Sequence, residues 1–466
     1  MSKKTPVIAI LDIGKTNKKA FLFDEDYNIV YEQTVQLEET IDEDGFPCED
    51  VMKLQDWVKQ SYHVMTALGE FEIKALNVSA YGASFVHLDK KGEILTPLYN
   101  YLKPYPVELT KQFYRTYGGE QTLSLKTASP VLGSLNSGLQ LYRLKKERQN
   151  LFTRVHNSLH LPQFITWLIT GHAWSDITSI GCHTGLWDFS EKRYHEWVVA
   201  EGIDRKFPSL VSSDSALPVQ QGNQQLIAGV GLHDSSAALV PYLAQFKEPF
   251  LLLSTGTWCI SLNPFSKSPL TTEELSNDCL CYMDYKGNPV KASRLFGGNE
   301  HEQQTKRMAE HYHAGPDYYK EVDYNPGIVD NLIASSRPIS PDKRPSTTQR
   351  EGGGTGVYQS QFGRRDLSLY KTYEEAYHHL ILDIMADQVI ATRWVMDKDD
   401  HTQRIFVDGG FSNNAVFMNL LAASFADKQV FSASLHQASA LGAALAVHSH
   451  WNKKETPLNL IQLSAR

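Results

Sequence analysis

Residues 7–24 read VIAILDIGKTNKKAFLFD: two apolar runs, VIAIL and AFLF, flank the polar segment DIGKTNKK, with one acid, one glycine and three lysines. Short apolar runs on either side of a glycine-bearing turn predict the two strands of a hairpin. A plain hairpin needs no such charge at its turn. Gly14 lets backbone N–H groups approach phosphate oxygens, Thr16 and Asn17 add a hydroxyl and an amide, and a lysine among Lys15, Lys18 and Lys19 supplies neutralising charge. Asp12, where the first strand ends, suits Mg2+, which takes a few carboxylates together with water and phosphate oxygens. The turn reads as a phosphate clamp, and it is not a Walker A loop, because no GxxxxGK[ST] occurs.

Three further stretches have the same character, an apolar strand running into Gly, Asp, Ser, Thr or Asn: GLHDSSAA (231–238), LLSTGTW (252–258) and VDGGFSNN (407–414). Turns favour these residues anyway, so one such stretch carries little weight. Four of them at strand ends point to the place where open α/β folds bind ligands. Gly256 and Thr257 repeat the donors of the first turn. The run EPFLLLSTGTWCISLN (248–263) also repeats its plan of apolar run, turn and apolar run, which suggests a duplicated architecture.

At 466 residues the chain exceeds one ordinary core, so two or three domains are expected. A net charge of -8 without a long basic block argues against nucleic acid and anionic membrane as partners. No run of about 18 uncharged apolar residues occurs, and the N-terminal apolar run is too short for a signal segment. Five scattered cysteines, with Cys279 and Cys281 lacking a second pair to complete a metal site, point to a reducing compartment, the cytoplasm. Helical spacing marks 54–68, and 73–89 reads as two strands, an alternation that argues α/β. Residues 133–200 read as mainly helical, one helix ending at Gly171. Residues 338–365 form the loosest segment; its GGGTG (352–356) lacks a preceding buried strand and reads as a flexible loop. Thr372 and Glu375 have capping-box spacing at the head of a long helix over 372–397, and 436–449 is a small-residue helix suited to close packing.

Taken in order, these motifs resemble the FGGY carbohydrate kinases of the actin/hexokinase/Hsp70 ATPase superfamily. DIGKTNKK is similar to the family's DxGTxxxK/R phosphate loop, with Asp12, Gly14 and Lys19 on the matching positions. STGTW resembles the second phosphate loop, and VDGGFSNN with its following helix resembles the adenosine motif. LPQFITWLITGHAWSDITSIGCHTGLWDF (161–189) is similar to the family's signature PxDYLxxxLTGxxxxDxSxAxxTGLxD. The finer likeness is to rhamnulokinases and fuculokinases. Two departures are visible: Ser84 stands where a rhamnulokinase-like pattern has an acid, and NYLKPYP (100–106) replaces the usual Trp-x-Asp-x-Arg stretch.

The resemblance implies an α/β protein of two actin-like ATPase (ribonuclease H-like) domains with a central cleft. Residues 1–243 would carry the sugar and the first phosphate loop, and 244–466 the ATP. It implies Asp234 as catalytic base. Gly82, Ser84, His233, Asp234 and Ser235 would line the sugar, with Arg294 reaching it. Gly410 with Asn413 or Asn414 would meet the adenosine, joined by Glu302 or Gln303. The implied reaction is ATP- and Mg2+-dependent phosphorylation of a small sugar, a ketose such as L-rhamnulose, L-fuculose or a pentulose, by a cytoplasmic enzyme, with a homodimer as the assembly the family suggests. A non-catalytic sugar or nucleotide sensor on the same fold is the alternative; retention of Asp234 argues against it, because a sensor has no use for a base there.

Overall fold

The computed structural model describes residues 4–221, 224–335, 361–435 and 437–465. The GGGTG stretch and most of the loose segment around it lie outside these. The chain forms two compact units. The first comprises residues 1–247, 281–289 and 436–460, and the second 248–280, 290–435 and 461–466. A single cut after residue 243 therefore does not describe them, because two later segments return to the first unit.

In the first unit, β1 (Thr5–Ile13) and β2 (Lys18–Asp24) form the expected antiparallel hairpin, with Asp12 opposite Lys19. Val7 to Leu11 are completely buried, which is why all five are apolar. β3 (Ile29–Val35) extends the hairpin on the β2 side. Helix α1 (Val51–Ala67), capped by the Asp50 carboxylate, leads to β4 (Phe71–Ala80), which pairs parallel to β1. Helix α2 (Leu161–Thr170) ends at Gly171, whose φ of 72° is the left-handed conformation foreseen for it. β5 (Ala216–Gln221), β6 (Gln224–Gly229) and the short β7 (Leu232–His233) precede helix α3 (Asp234–Gln245). The sheet order is β5-β6-β4-β1-β2-β3, with β7 also paired to β4.

The second unit repeats the central plan. β8 (Phe250–Thr255) and β9 (Cys259–Asn263) form its hairpin. After β10 (Cys279–Met283), β11 (Pro289–Leu295) extends that hairpin on the β9 side. Helices α4 (Gly297–Tyr312) and α5 (Tyr373–Trp394) lead to β12 (Arg404–Gly409), parallel to β8. Helix α6 (Ala415–Ser424) and β13 (Gln429–Ser434) follow. Thus β3-β2-β1-β4 and β11-β9-β8-β12 share one arrangement: hairpin, third antiparallel strand outside it, parallel strand on the other side. The Thr372 hydroxyl caps α5 as expected, but the Glu375 carboxylate accepts from the N–H of Lys371 at 2.8 Å, one residue earlier than a capping box requires. Among the described residues no helix is long and apolar enough to cross a membrane.

After β13 the chain re-enters the first unit as α7 (Ala438–Ala446), and β14 (Gln462–Ala465) then completes the second sheet beside β13. Small residues let α7 press on α3: a Cβ on Gly442 would lie 1.8 Å from the carbonyl oxygen of Ala237. The Asn77 amide of β4 ties α7 down by donating to Ala443 O at 2.8 Å. Gly442→Ala forces these backbones apart, and we expect it to cost about 1–3 kcal/mol, read as a lowered urea midpoint with an unchanged slope.

Candidate active site

Two groups of predicted residues assemble, one in each unit. In the first, four residues, Gly14, Lys15, Thr16 and Asn17, close the β1–β2 hairpin, with the Gly14 N–H donating to Asn17 O at 2.9 Å. Thr16 is exposed, and Lys15 pairs with Glu39 at 2.6 Å on the surface, a contact weak enough to be exchanged for another anion. Lys19 lies on the same face as Asp12, its ammonium donating to the Gln437 side chain at 2.8 Å.

Lys18 is a correction. Strand residues alternate faces, so Lys18 points with Ala20 and Leu22 into the core. It is 1 % exposed and bound to Glu49, and is not available to a phosphate.

Asp12 is half-buried, and its carboxylate accepts from the Ser439 hydroxyl at the start of α7, at 2.8 Å. Burial pushes its pKa up to about 6; the Ser439 bond opposes this, and repulsion from the Asp234 carboxylate adds to it. Two carboxylates close enough to repel, one of them partly desolvated, fit a hydrated divalent cation.

Asp234 is the first residue of α3, a position where the helix dipole favours an anion. Its Oδ1 lies 3.3 Å from His233 Nε2 and accepts from the Ser235 N–H at 2.6 Å. The Ser235 hydroxyl is 3.3 Å from the same oxygen. His233 is buried, which lowers its pKa and keeps the ring neutral. Its surroundings fix the ring: Tyr282 stacks on it at 5.8 Å, and a Cβ on Gly82 would fall 2.6 Å from its Cδ2, so only glycine fits at position 82. The His233 N–H donates to the Thr178 hydroxyl at 3.0 Å, which itself donates to buried Asp176 at 2.5 Å. Thus the acid of the 161–189 signature acts from behind, by anchoring the backbone that presents Asp234. Ser84 is buried, 1 % exposed, and its carbonyl oxygen accepts from the Leu161 N–H at 3.2 Å.

In the second unit, the Gly256–Trp258 turn closes the β8–β9 hairpin, and Gly256 and Thr257 are exposed. Its neighbours come close only because they lack side chains. A Cβ on Gly298, at the head of α4, would lie 1.8 Å from Gly256 O, and one on Gly409 would lie 1.9 Å from Thr255 O. The Thr255 hydroxyl accepts from Phe411 N–H at 3.0 Å and so locks the VDGGFSNN turn to this hairpin. The result is a shallow cradle of exposed backbone, Gly256, Thr257, Gly409 and Gly410, which suits phosphate and ribose oxygens. Asn413 is exposed beside it. Asn414 is occupied: it caps α6 by accepting from Phe417 N–H at 2.9 Å and donates to the Tyr377 hydroxyl at 2.5 Å. Gln303 is exposed on α4, and Glu302 pairs with Lys306 at 2.6 Å. The Arg294 guanidinium is bound to Asp278 at 2.6 Å and lies over the Trp258 ring, so any role toward a sugar falls to an already paired side chain.

Sequence reasoning missed Gln437, Ser439, Glu49, Thr178 and Tyr282. The face alternation of β2 separates Lys18 from Lys19 and was a usable signal. The approach of α7 to Asp12 had none.

The repeated hairpin-and-parallel-strand plan, with glycine turns at the strand ends, gives the two units one α/β fold, shared with solved sugar-kinase structures. The family model for the FGGY family of carbohydrate kinases, N-terminal domain, matches residues 7–238, and that for carbohydrate kinase FGGY, C-terminal domain, matches 247–456; the chain belongs to this family. It is 25% identical over 271 residues to an L-fuculokinase of Escherichia coli K12, covering 55% of this chain and 56% of that one. A rhamnulokinase of Bacteroides thetaiotaomicron is 22% identical over 234 residues, 48% of this chain and 47% of the relative. The chain thus matches about half the length of these curated relatives. Among solved structures, a carbohydrate kinase from Novosphingobium aromaticivorans superposes with a TM-score of 0.77 at 22% identity, covering 99% of this chain and 94% of that one. A xylulose kinase from Lactobacillus acidophilus does so with 0.78 at 16% identity, covering 98% and 93%. These likenesses concern the fold.

Proposed function

We propose that the protein transfers a phosphoryl group from ATP to a hydroxyl of a small sugar, a ketose such as L-rhamnulose, L-fuculose or a pentulose. The observation that carries this reading is Asp234: a half-buried carboxylate at a helix N-terminus, braced by a neutral histidine and close enough to the Asp12 carboxylate to repel it. Asp234 accepts the proton of the attacking hydroxyl. His233 and Ser235 hold its Oδ1, leaving the other oxygen to face the substrate. Asp12 would hold the cation, and Lys19 with the N–H groups of residues 15–17 would receive phosphate oxygens. Gly256, Thr257, Gly410 and Asn413 hold the nucleotide. ATP with Mg2+ supplies, when bound, the transferable group and the neutralising charge that such a reaction needs. The fuculokinase and rhamnulokinase relatives support a ketose.

A coupled ADP-release assay over L-rhamnulose, L-fuculose, L- and D-ribulose, D-xylulose, glycerol and D-fructose tests the reading. Turnover is expected on one or two ketoses. ATP hydrolysis that ignores every sugar would reject it.

A further inference from the structure

Beneath the turn of β1 and β2 lies a buried ion pair with no part in the chemistry above. Lys18 is 1 % and Glu49 3 % exposed, and the ammonium stands 2.8 and 3.0 Å from the two carboxylate oxygens. Burying such a pair is costly, and apolar replacements of similar size are often at least as stable, so the pair is not explained by stability. Its connections suggest what it does. The same ammonium donates to the carbonyl oxygen of Lys15, in the middle of the turn, at 3.0 Å. Glu49 also accepts from the Tyr81 hydroxyl at 3.3 Å. Tyr81 lies under the Lys15 ammonium, 5.9 Å from ring centroid to nitrogen, and directly precedes Gly82. Its ring meets that of Tyr101, in the NYLKPYP stretch, edge-on at 6.1 Å, and the Glu49 backbone forms a β-bridge with Leu98 just before that stretch.

We propose that Glu49 is a positioning residue. Through Lys18 it fixes the Lys15 carbonyl inward, which turns the Thr16 N–H of the same peptide outward. Through Tyr81 it ties that turn to the Gly82 backbone beside Asp234. The part of this concerning phosphate rests on the kinase reading. The fixing of the turn does not.

The test compares Glu49→Gln with the double variant Lys18→Met/Glu49→Leu, which removes both charges and keeps the volume, so that folding is preserved even if the single change unfolds the protein. Thermal melting, amide hydrogen exchange across 14–17 and the affinity for a non-hydrolysable ATP analogue are measured on each. The double variant is expected to melt within a few degrees of wild type. Its turn amides should exchange at least tenfold faster, and it should bind the analogue about tenfold more weakly. Unchanged exchange in a folded double variant would overturn the proposal. Faster exchange with unchanged affinity would overturn the link to phosphate. A wild-type protein that binds no analogue would count against the kinase reading, while the exchange result would still decide the role of Glu49.

Discussion

Asp234→Asn should lower kcat for the preferred sugar by about a thousandfold, in the range that loss of a positioned base produces, and leave the KM for ATP within a few-fold of wild type. Asparagine keeps the shape and can still accept from the Ser235 N–H, so the melting temperature should move little. The separation matters. A residue that served only as the first turn of α3 would, on replacement, change stability and leave turnover in place. Steady-state kinetics beside a melting curve distinguish the two. Equal falls in kcat and in kcat/KM for the sugar would place the loss in the transition state, where proton removal occurs.

Asp12→Asn should do two opposite things. It should reduce turnover by about a hundredfold or more, because a neutral amide is a poor cation ligand, and it should make the protein without nucleotide more stable. The sign follows from the raised pKa. With an ordinary carboxyl value of 3.8 and a folded value of about 6, the folded chain retains a proton that the unfolded chain has lost. Stability therefore falls as pH rises from about 4 to 6, and above 6 the full cost is present. That cost is at most about 3 kcal/mol, and less where solvent screens the group. Urea unfolding at pH 4 and pH 7.5 reads it directly: wild type and Asp12→Asn should be close at the lower pH, and the variant should be the more stable at the higher. A variant less stable than wild type at pH 7.5 would show that the carboxylate is structurally supportive, contrary to its burial.

Much of this was legible in the sequence because strand-end glycines and hydroxyl residues carry both a fold signal and a chemical one. The hairpin at 7–24 gave both strands and the face that Asp12 shares with Lys19. The run at 248–263 gave the second hairpin, and the pairing of β12 with β8 then made the duplication visible in the sheets. What stayed hidden depended on long-range packing. The return of α7 to the first unit brings Ser439 to Asp12 across more than four hundred residues of chain, and nothing local to either residue announces it. Glu49 looks like an ordinary acid before a helix. Its burial follows only once Lys18 is seen to face inward. Asn414 looked equivalent to Asn413, yet a helix start needs a cap, and that need claimed it.

We propose that Asp234 drives phosphoryl transfer to a sugar hydroxyl. The most direct measurement is mass-spectrometric quantification of sugar phosphate and ADP from the same reaction, with the ketose that gives the fastest ADP release. Equal amounts of the two products are expected from wild type and neither, above background, from Asp234→Asn. ADP without sugar phosphate, or undiminished sugar phosphate from the variant, would contradict it.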